Sequence, residues 1–489
     1  MKKASVFLLT FFFASALLIS EDIPFESYFT DHTMRIDFFQ TGDSDETYVS
    51  IDQIYKYPKW AGNPEKTIDA MNSGMYYIKI VDKATNRLLY SKGFATIFGE
   101  YRTTDDAKNN IKKTYLQTAL IPYPKYPFLF IIEGRDKNNL LYPQFTMNID
   151  PKDENIIHEG SRSDDLVYKS IESGGPHDKV DIVFAAEGYK AEDWEKFKKD
   201  VDRFTQVIFR AEPFQSHKGK FNVSGVFRAS QQRGTDEPTK GIFKNTVLNS
   251  SYNALGIPRY LLIDDTKTLR DIASKVPYDT LIVIANTPRY GGGGIYNDYT
   301  IFTSDDERSE HTLMHEFGHG FADLADEYFT SSVAYNEFYP PGVEPHEPNI
   351  TALLNPEHIK WKHLLSPGIE IPTPWGQEEI EILEKKKREA AKKTKQQIAD
   401  LEQKGASKEE IRKVQEDLNS TLEQINNEIK KVFLKYQKIY KGKIGVFEGA
   451  GYSPKGLFRS EVHVGMFYNG EYGPVSEEAV LRIIYHLSR

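Results

Sequence analysis

The residue types with the clearest chemical spacing fall in one stretch: His311-Thr312-Leu313-Met314-His315-Glu316-Phe317-Gly318-His319-Gly320-Phe321-Ala322-Asp323-Leu324-Ala325-Asp326-Glu327-Tyr328. Within it, His315, Glu316 and His319 form an HExxH motif. On a helix, side chains four residues apart lie one turn apart on one face, so both imidazoles reach a single ion. Glu316 then stands beside the ion, placed to act on a water rather than to ligate. A catalytic zinc takes three protein ligands and keeps one position open. His311 continues the stripe, but one straight helix cannot wrap three successive turns around an ion, and Asp323 has the same defect. Asp326 lies about 10 Å up the axis from His319 if the helix runs straight. It reaches the ion only if the chain turns back after His319, and Gly320 offers a place for that break. Asp326 is the favoured third ligand and Glu327 its competitor. His311 is then a supporting or core histidine.

The elements that position this motif begin with what composition excludes. The chain has 489 residues and no cysteine. That removes a thiol nucleophile, a cysteine-ligated zinc, an iron–sulfur cluster and a disulfide scaffold. Any metal must be held by His, Asp or Glu. A formal net charge of −9 argues against a general nucleic-acid binder. The length allows two or three domains with proper cores.

Met1-Lys2-Lys3, an apolar run to Ile19 and then Ser20-Glu21-Asp22 have the layout of a bacterial secretory signal over residues 1–20. No cysteine follows, so a lipoprotein anchor is excluded. No later segment is apolar enough to span a bilayer. The expected location is periplasmic or secreted. Residues 21–150 carry short alternating runs such as Tyr76-Tyr77-Ile78-Lys79-Ile80-Val81 and Phe128-Leu129-Phe130-Ile131-Ile132, separated by turn-rich stretches. That pattern predicts a β-sandwich with nothing catalytic in it. From about 165 onward, apolar runs at Val180–Ala186 and Thr280–Ala285 alternate with helical stretches, which predicts an α/β core. The helix carrying HExxH is expected to begin near Ser304-Asp305-Asp306.

Residues 377–438 differ from their surroundings: no proline, one glycine, and dense Glu, Lys and Gln. Apolar residues recur at three/four spacings, from Ile380 and Leu383 to Ile429 and Val432. Lys404-Gly405-Ala406 breaks the run, and Ser407 with Glu410 restarts it as a capping box. The expectation is two antiparallel helices of about 25 residues each, on the order of 38 Å long. A solvated surface hairpin or a docking arm for a partner would both fit.

The motif His-Glu-Phe-Gly-His-Gly-Phe-Ala-Asp-Leu-Ala-Asp-Glu-Tyr, at 315–328, resembles the zinc signature of the IgA-peptidase family of bacterial metallopeptidases, family sixty-four of the metallo class. Asp181 to Tyr189, Ser230 to Asp236, Asn286 to Asn297, Ile359 to Lys362 and Gly445 to Tyr452 resemble further family blocks. The N-terminal β-region fits the family's accessory domain. Two departures stand out. Where relatives tend to carry Tyr-Arg-Pro and then a cysteine before methionine, this chain has Phe458-Arg459-Ser460-Glu461-Val462-His463-Val464-Gly465-Met466, and the 377–438 segment interrupts a stretch that is shorter in them. The resemblance implies an α+β protein: an N-terminal β-sandwich, then a metzincin-like α/β zinc peptidase domain over 165–489 carrying an inserted antiparallel helical hairpin.

It also implies a mechanism. Zn2+ held by His315, His319 and Asp326 acidifies water, Glu316 takes the proton as general base, and the substrate is a polypeptide. Tyr452, Arg459 and Tyr328 are the candidate oxyanion donors, and Met466 is a candidate apolar floor beneath the metal. Gly291 to Gly294 lack the following helix and Lys-Ser/Thr pair of a phosphate loop. They are read as a flexible turn or as a strand that lets substrate backbone approach closely. The rival functions are a zinc hydrolase of non-peptide substrates and a non-catalytic surface protein with a structural zinc.

Overall fold

The computed structural model describes residues 23–158, 165–329, 338–463, 466–468 and 470–489. The expected signal, residues 1–20, lies outside them.

The N-terminal region is β-rich. One four-stranded sheet orders its strands as Lys113–Pro124, Phe29–Gly42, Thr47–Tyr57 and Ile157–His158. A second orders Leu88–Phe94, Tyr76–Asp82, Phe128–Arg135 and Leu141–Ile149. Side chains alternate along a strand, and the inward sets of the two sheets (Met34, Ile36, Phe38 and Ile121 with Ile78, Ile80, Phe130 and Ile132) form one apolar core.

The second region is built on a six-stranded sheet with the order Gly292–Ile295, Tyr299–Thr303, Thr280–Ala285, Val180–Glu187, Phe221–Phe227 and Leu166–Ile171. The four central strands run parallel, and the two edge strands pair antiparallel. Val180–Glu187 is buried at every position, as a strand covered on both faces requires. On one face, Phe204 of the helix Trp194–Ile208, Phe317 of the helix Ser309–Ala322 and Val480 of the helix Pro474–Leu487 share a core. On the other, Leu269 and Ile272 of the helix Thr266–Ala273 pack with Val183, Val283 and Ile301.

The HExxH helix starts at Ser309, later than the sequence indicated. Asp306 closes a local turn by accepting the Arg308 N–H at 2.9 Å, so the acidic run at 305–306 precedes the helix instead of opening it.

The 377–438 segment forms two helices, Gln377–Gln403 and Lys408–Ile439, joined through Gly405 at φ 69°. Ser407 and Glu410 make the reciprocal capping bonds. Lys435 and Tyr436, late in the second helix, both reach Glu379 at the start of the first, so the two run in opposite directions. Only Gln377, Ile380 and Leu383 of these helices are buried. No helix among the described residues is long and apolar enough to cross a membrane.

Candidate metal centre

The helix Ser309–Ala322 buries Leu313, Met314, Phe317 and Phe321 in the core and turns His315, Glu316 and His319 toward a cleft of about 660 Å³. It does not break at Gly320. That glycine is pressed against Thr300, where a Cβ would lie 2.2 Å from the hydroxyl oxygen. The helix ends at Asp323, whose backbone adopts the left-handed conformation at φ 53°. Leu324 N–H bonds back to Gly318 O at 3.3 Å, closing a Schellman-type turn. Asp is among the few residues other than Gly that enter this region readily.

The chain then runs back along the helix and is held at each step. Asn349, fully buried, grips Ala325 through both its N–H (2.8 Å) and its carbonyl (2.9 Å). Gly451 N–H donates to Asp326 O at 2.9 Å, and Tyr452 N–H to Tyr328 O at 3.0 Å. This path brings Asp326 to the histidines. One nitrogen or oxygen from each of His315, His319 and Asp326 lies within 4.8 Å of the others. Asp326 Oδ1 is 3.2 Å from His315 Nε2 and 3.5 Å from His319 Nε2.

Three features fit these residues to a cation. Asp326 Oδ1 is buried and accepts no hydrogen bond, whereas Oδ2 accepts one from the Tyr452 hydroxyl. A buried carboxylate oxygen without a donor is costly unless something positive completes it. His319 Nδ1 bonds Leu324 O at 2.5 Å, which presents Nε2 to the cluster as ligand. Burial would raise the Asp326 pKa, but the imidazoles of His319 and His315 outweigh it and hold the carboxyl well below its usual range. Burial lowers His319, and Asp326 reverses that, pushing the imidazole up to about 9. The carboxylate is thus held ionised, and a cation bound there would take the place of the proton that Asp326 keeps on His319.

Glu316 lies in the same cleft, its pKa raised by burial against the lowering effect of the two histidines. The glycine run faces it. Gly292–Ile295 is an edge strand laid on the helix. A Cβ at Gly292 would come 2.9 Å from Glu316 Cγ, and one at Gly294 would come 2.1 Å from Glu316 O. Cβ atoms at Gly291 and Gly293 would strike the rings of Tyr252 and Tyr260. The glycines thus let the run pack closely on the helix and on the two tyrosine rings, and Gly292 and Gly294 also line the cleft.

Tyr452 and Tyr328 both line the cleft; their rings meet edge to face at 5.4 Å, and Tyr328 stacks on His315. Arg459 is not brought to this site. It is fully buried and donates to the carbonyls of Gly449, Val462, His463 and Glu448, with its guanidinium over the Trp375 ring. It stiffens the loop that carries Tyr452. Glu327 also turns away: it accepts from Asn349 Nδ2 at 3.3 Å, and burial beside Glu461 pushes it up to about 8. Met466 is buried and packs its thioether against the helix at Gly318. His311 lines the cleft and stacks on His315.

The family described as IgA Peptidase M64 matches residues 169–484, and Peptidase M64 N-terminus matches residues 24–146. The chain belongs to the M64 peptidase family. No curated protein matches it. As an M64 peptidase it is a hydrolase of polypeptide, and M64 peptidases are metallopeptidases, in keeping with the His/Asp cluster inside the matched stretch. Several residues of this M64 peptidase's cleft were missed in the sequence. Met75, Ala95, Thr96, Glu100, Arg259, Tyr260, Tyr290, His346 and Glu347 all line it. They come from segments distant in sequence and carry no local motif, so only the fold brings them together.

Proposed function

We propose that this M64 peptidase is a secreted, zinc-dependent endopeptidase whose metal is held by His315, His319 and Asp326. The observation that carries the reading is the donor set itself: two imidazoles and a buried, unbonded carboxylate oxygen facing one point, with a second carboxyl, Glu316, alongside. Two nitrogens and one oxygen suit Zn2+ and leave a position open for chemistry.

Zinc held by these three residues would supply a Lewis acid, able to acidify water and polarise the scissile carbonyl. The remaining work belongs to the chain. Glu316 accepts the proton of the attacking water on its carboxylate and returns it to the leaving amide nitrogen, a role suited by its raised pKa. The phenols of Tyr328 and Tyr452 line the same space and are the donors available to the developing oxyanion. Tyr452, bonded to Asp326 Oδ2, also fixes the orientation of that carboxylate.

The parallel sheet with an antiparallel edge strand lying on the HExxH helix supports a metzincin-like reading of 165–489. Residues 21–150 are read as an accessory β-sandwich and 377–438 as an antiparallel helical hairpin inserted in the catalytic domain. Export rests on the Lys2-Lys3 and apolar pattern of residues 1–20. Chelation tests the central point. Metal-stripped protein loses cleavage of a broad peptide library and regains it with stoichiometric zinc. Full-rate cleavage by protein shown to be free of metal would refute the proposal.

A further inference from the structure

The N-terminal region was expected to have no part in the chemistry, yet it forms one wall of the cleft. Met75, Ala95, Thr96 and Glu100 line the same space as His315, Glu316 and His319. Four hydrogen bonds register this wall to the metal cluster. Gly74 N–H donates to Asp323 Oδ2 at 2.6 Å, at the residue that ends the HExxH helix. Ala95 N–H donates to Tyr296 O at 2.9 Å, and Asn297 Nδ2 to Gly93 O at 2.7 Å, at the turn after the glycine strand. Tyr260 hydroxyl donates to Glu100 Oε2 at 2.6 Å. These bonds spread over three segments of the core, so the wall is fixed relative to Glu316 and does not rest loosely on it.

Met75 follows Gly74 directly and is half-buried. Its sulfur is backed by Gly99, where a Cβ would lie 2.4 Å away. Gly99 in turn belongs to a short turn closed by Thr96, whose hydroxyl accepts the Gly99 N–H at 3.0 Å. A thioether supported from behind offers an apolar, adaptable surface toward the cleft, and Ala95 adds a methyl group beside it. We infer that the N-terminal region is part of the substrate site, and that Met75 with Ala95 forms a subsite for an apolar side chain of the bound peptide, on the Asp323 side of the metal cluster. The inference rests on the peptidase reading of this cleft.

The test uses the full chain with Met75→Glu and, separately, Met75→Lys. Cleavage sites are profiled on a broad peptide library, and metal content is measured in parallel. The wild type shows an apolar preference at one position. Met75→Glu replaces it with Lys or Arg there, Met75→Lys replaces it with Asp or Glu, and kcat/KM for the best wild-type peptide falls about tenfold or more in both. Opposite selectivity from opposite charges does not arise from a general disturbance of the fold. Identical profiles for all three proteins would overturn the inference while leaving the peptidase intact. A wild type whose peptide cleavage is absent or independent of Glu316 would overturn the peptidase reading and this subsite with it.

Discussion

Asp326 and Glu327 are neighbours with the same 5% exposure, yet their carboxyls are driven in opposite directions. Asp326 is buried against two imidazoles and kept ionised; Glu327 is buried beside Glu461 and pushed up to about 8. Asp326→Ala therefore loses bound metal by far more than the ten- to hundredfold that removing an outer partner costs. Glu327→Ala keeps its metal and loses stability instead. Metal content of the two purified variants checks this directly. The HExxH pair was legible from spacing alone, because helical periodicity carries it. Spacing favours Asp326 over Glu327 without deciding between them. The register of a non-helical turn depends on Asn349, Gly451 and Tyr452, which grip it from remote segments. The carbonyl partners of Arg459 are likewise set by the fold and not by its proximity to a motif.

At the scale of elements, the cleft beside Glu316 depends on one strand lying close to one helix. Gly292 and Gly294 allow that approach, and a methyl at Gly294 would meet the Glu316 carbonyl oxygen. Gly294→Ala is expected to push the edge strand off the helix at a cost of about 1–3 kcal/mol, visible as a lower Tm and a loss of peptide cleavage. Gly219→Ala, where no atom lies within 4 Å of the added methyl, is the control that leaves both unchanged. The sequence marked this run as unusual but could not say which surface it approaches. The two long helices were more legible, since composition, the break at Gly405 and the Ser407–Glu410 box are all local. Their base was not. Trp375 packs on Phe433 and on Phe329, the residue following Tyr328, so the helical pair is rooted beside the loop that carries Asp326.

Over the whole molecule, the two regions are joined through buried charge as well as apolar contact. Arg35, in the first N-terminal strand and fully buried, holds Asp37 of its own strand and reaches Asp271 of the second region at 2.5 Å. Within the second region, buried Asp181 and half-buried Asp279 are adjacent, with Asp181 N–H on Asp279 Oδ2 at 2.8 Å and Asp181 Oδ2 unbonded. Burial pushes Asp181 from 3.8 up to about 7, against the lowering effect of its bond from Asn222. In that window the folded chain keeps a proton that the unfolded chain has released, so this contribution is complete below pH 3.8 and is lost as pH rises through about 7. Wild-type stability relative to Asp181→Asn should fall by up to about 1.4 kcal/mol per pH unit across it. Denaturant unfolding of both proteins at pH 5 and pH 7.5 measures the difference. Charge coupling of this kind, and the joining of both regions around one cleft, were invisible in the sequence because they arise between segments rather than within them.

The central claim is that one cleft holds a metal through His315, His319 and Asp326 and moves protons through Glu316. Glu316→Gln keeps the shape of the side chain and removes its basicity. The variant should bind as much zinc as the wild type while its cleavage of the best peptide falls by on the order of a hundred- to ten-thousandfold. Wild-type cleavage by a fully metal-loaded Glu316→Gln protein would contradict the account.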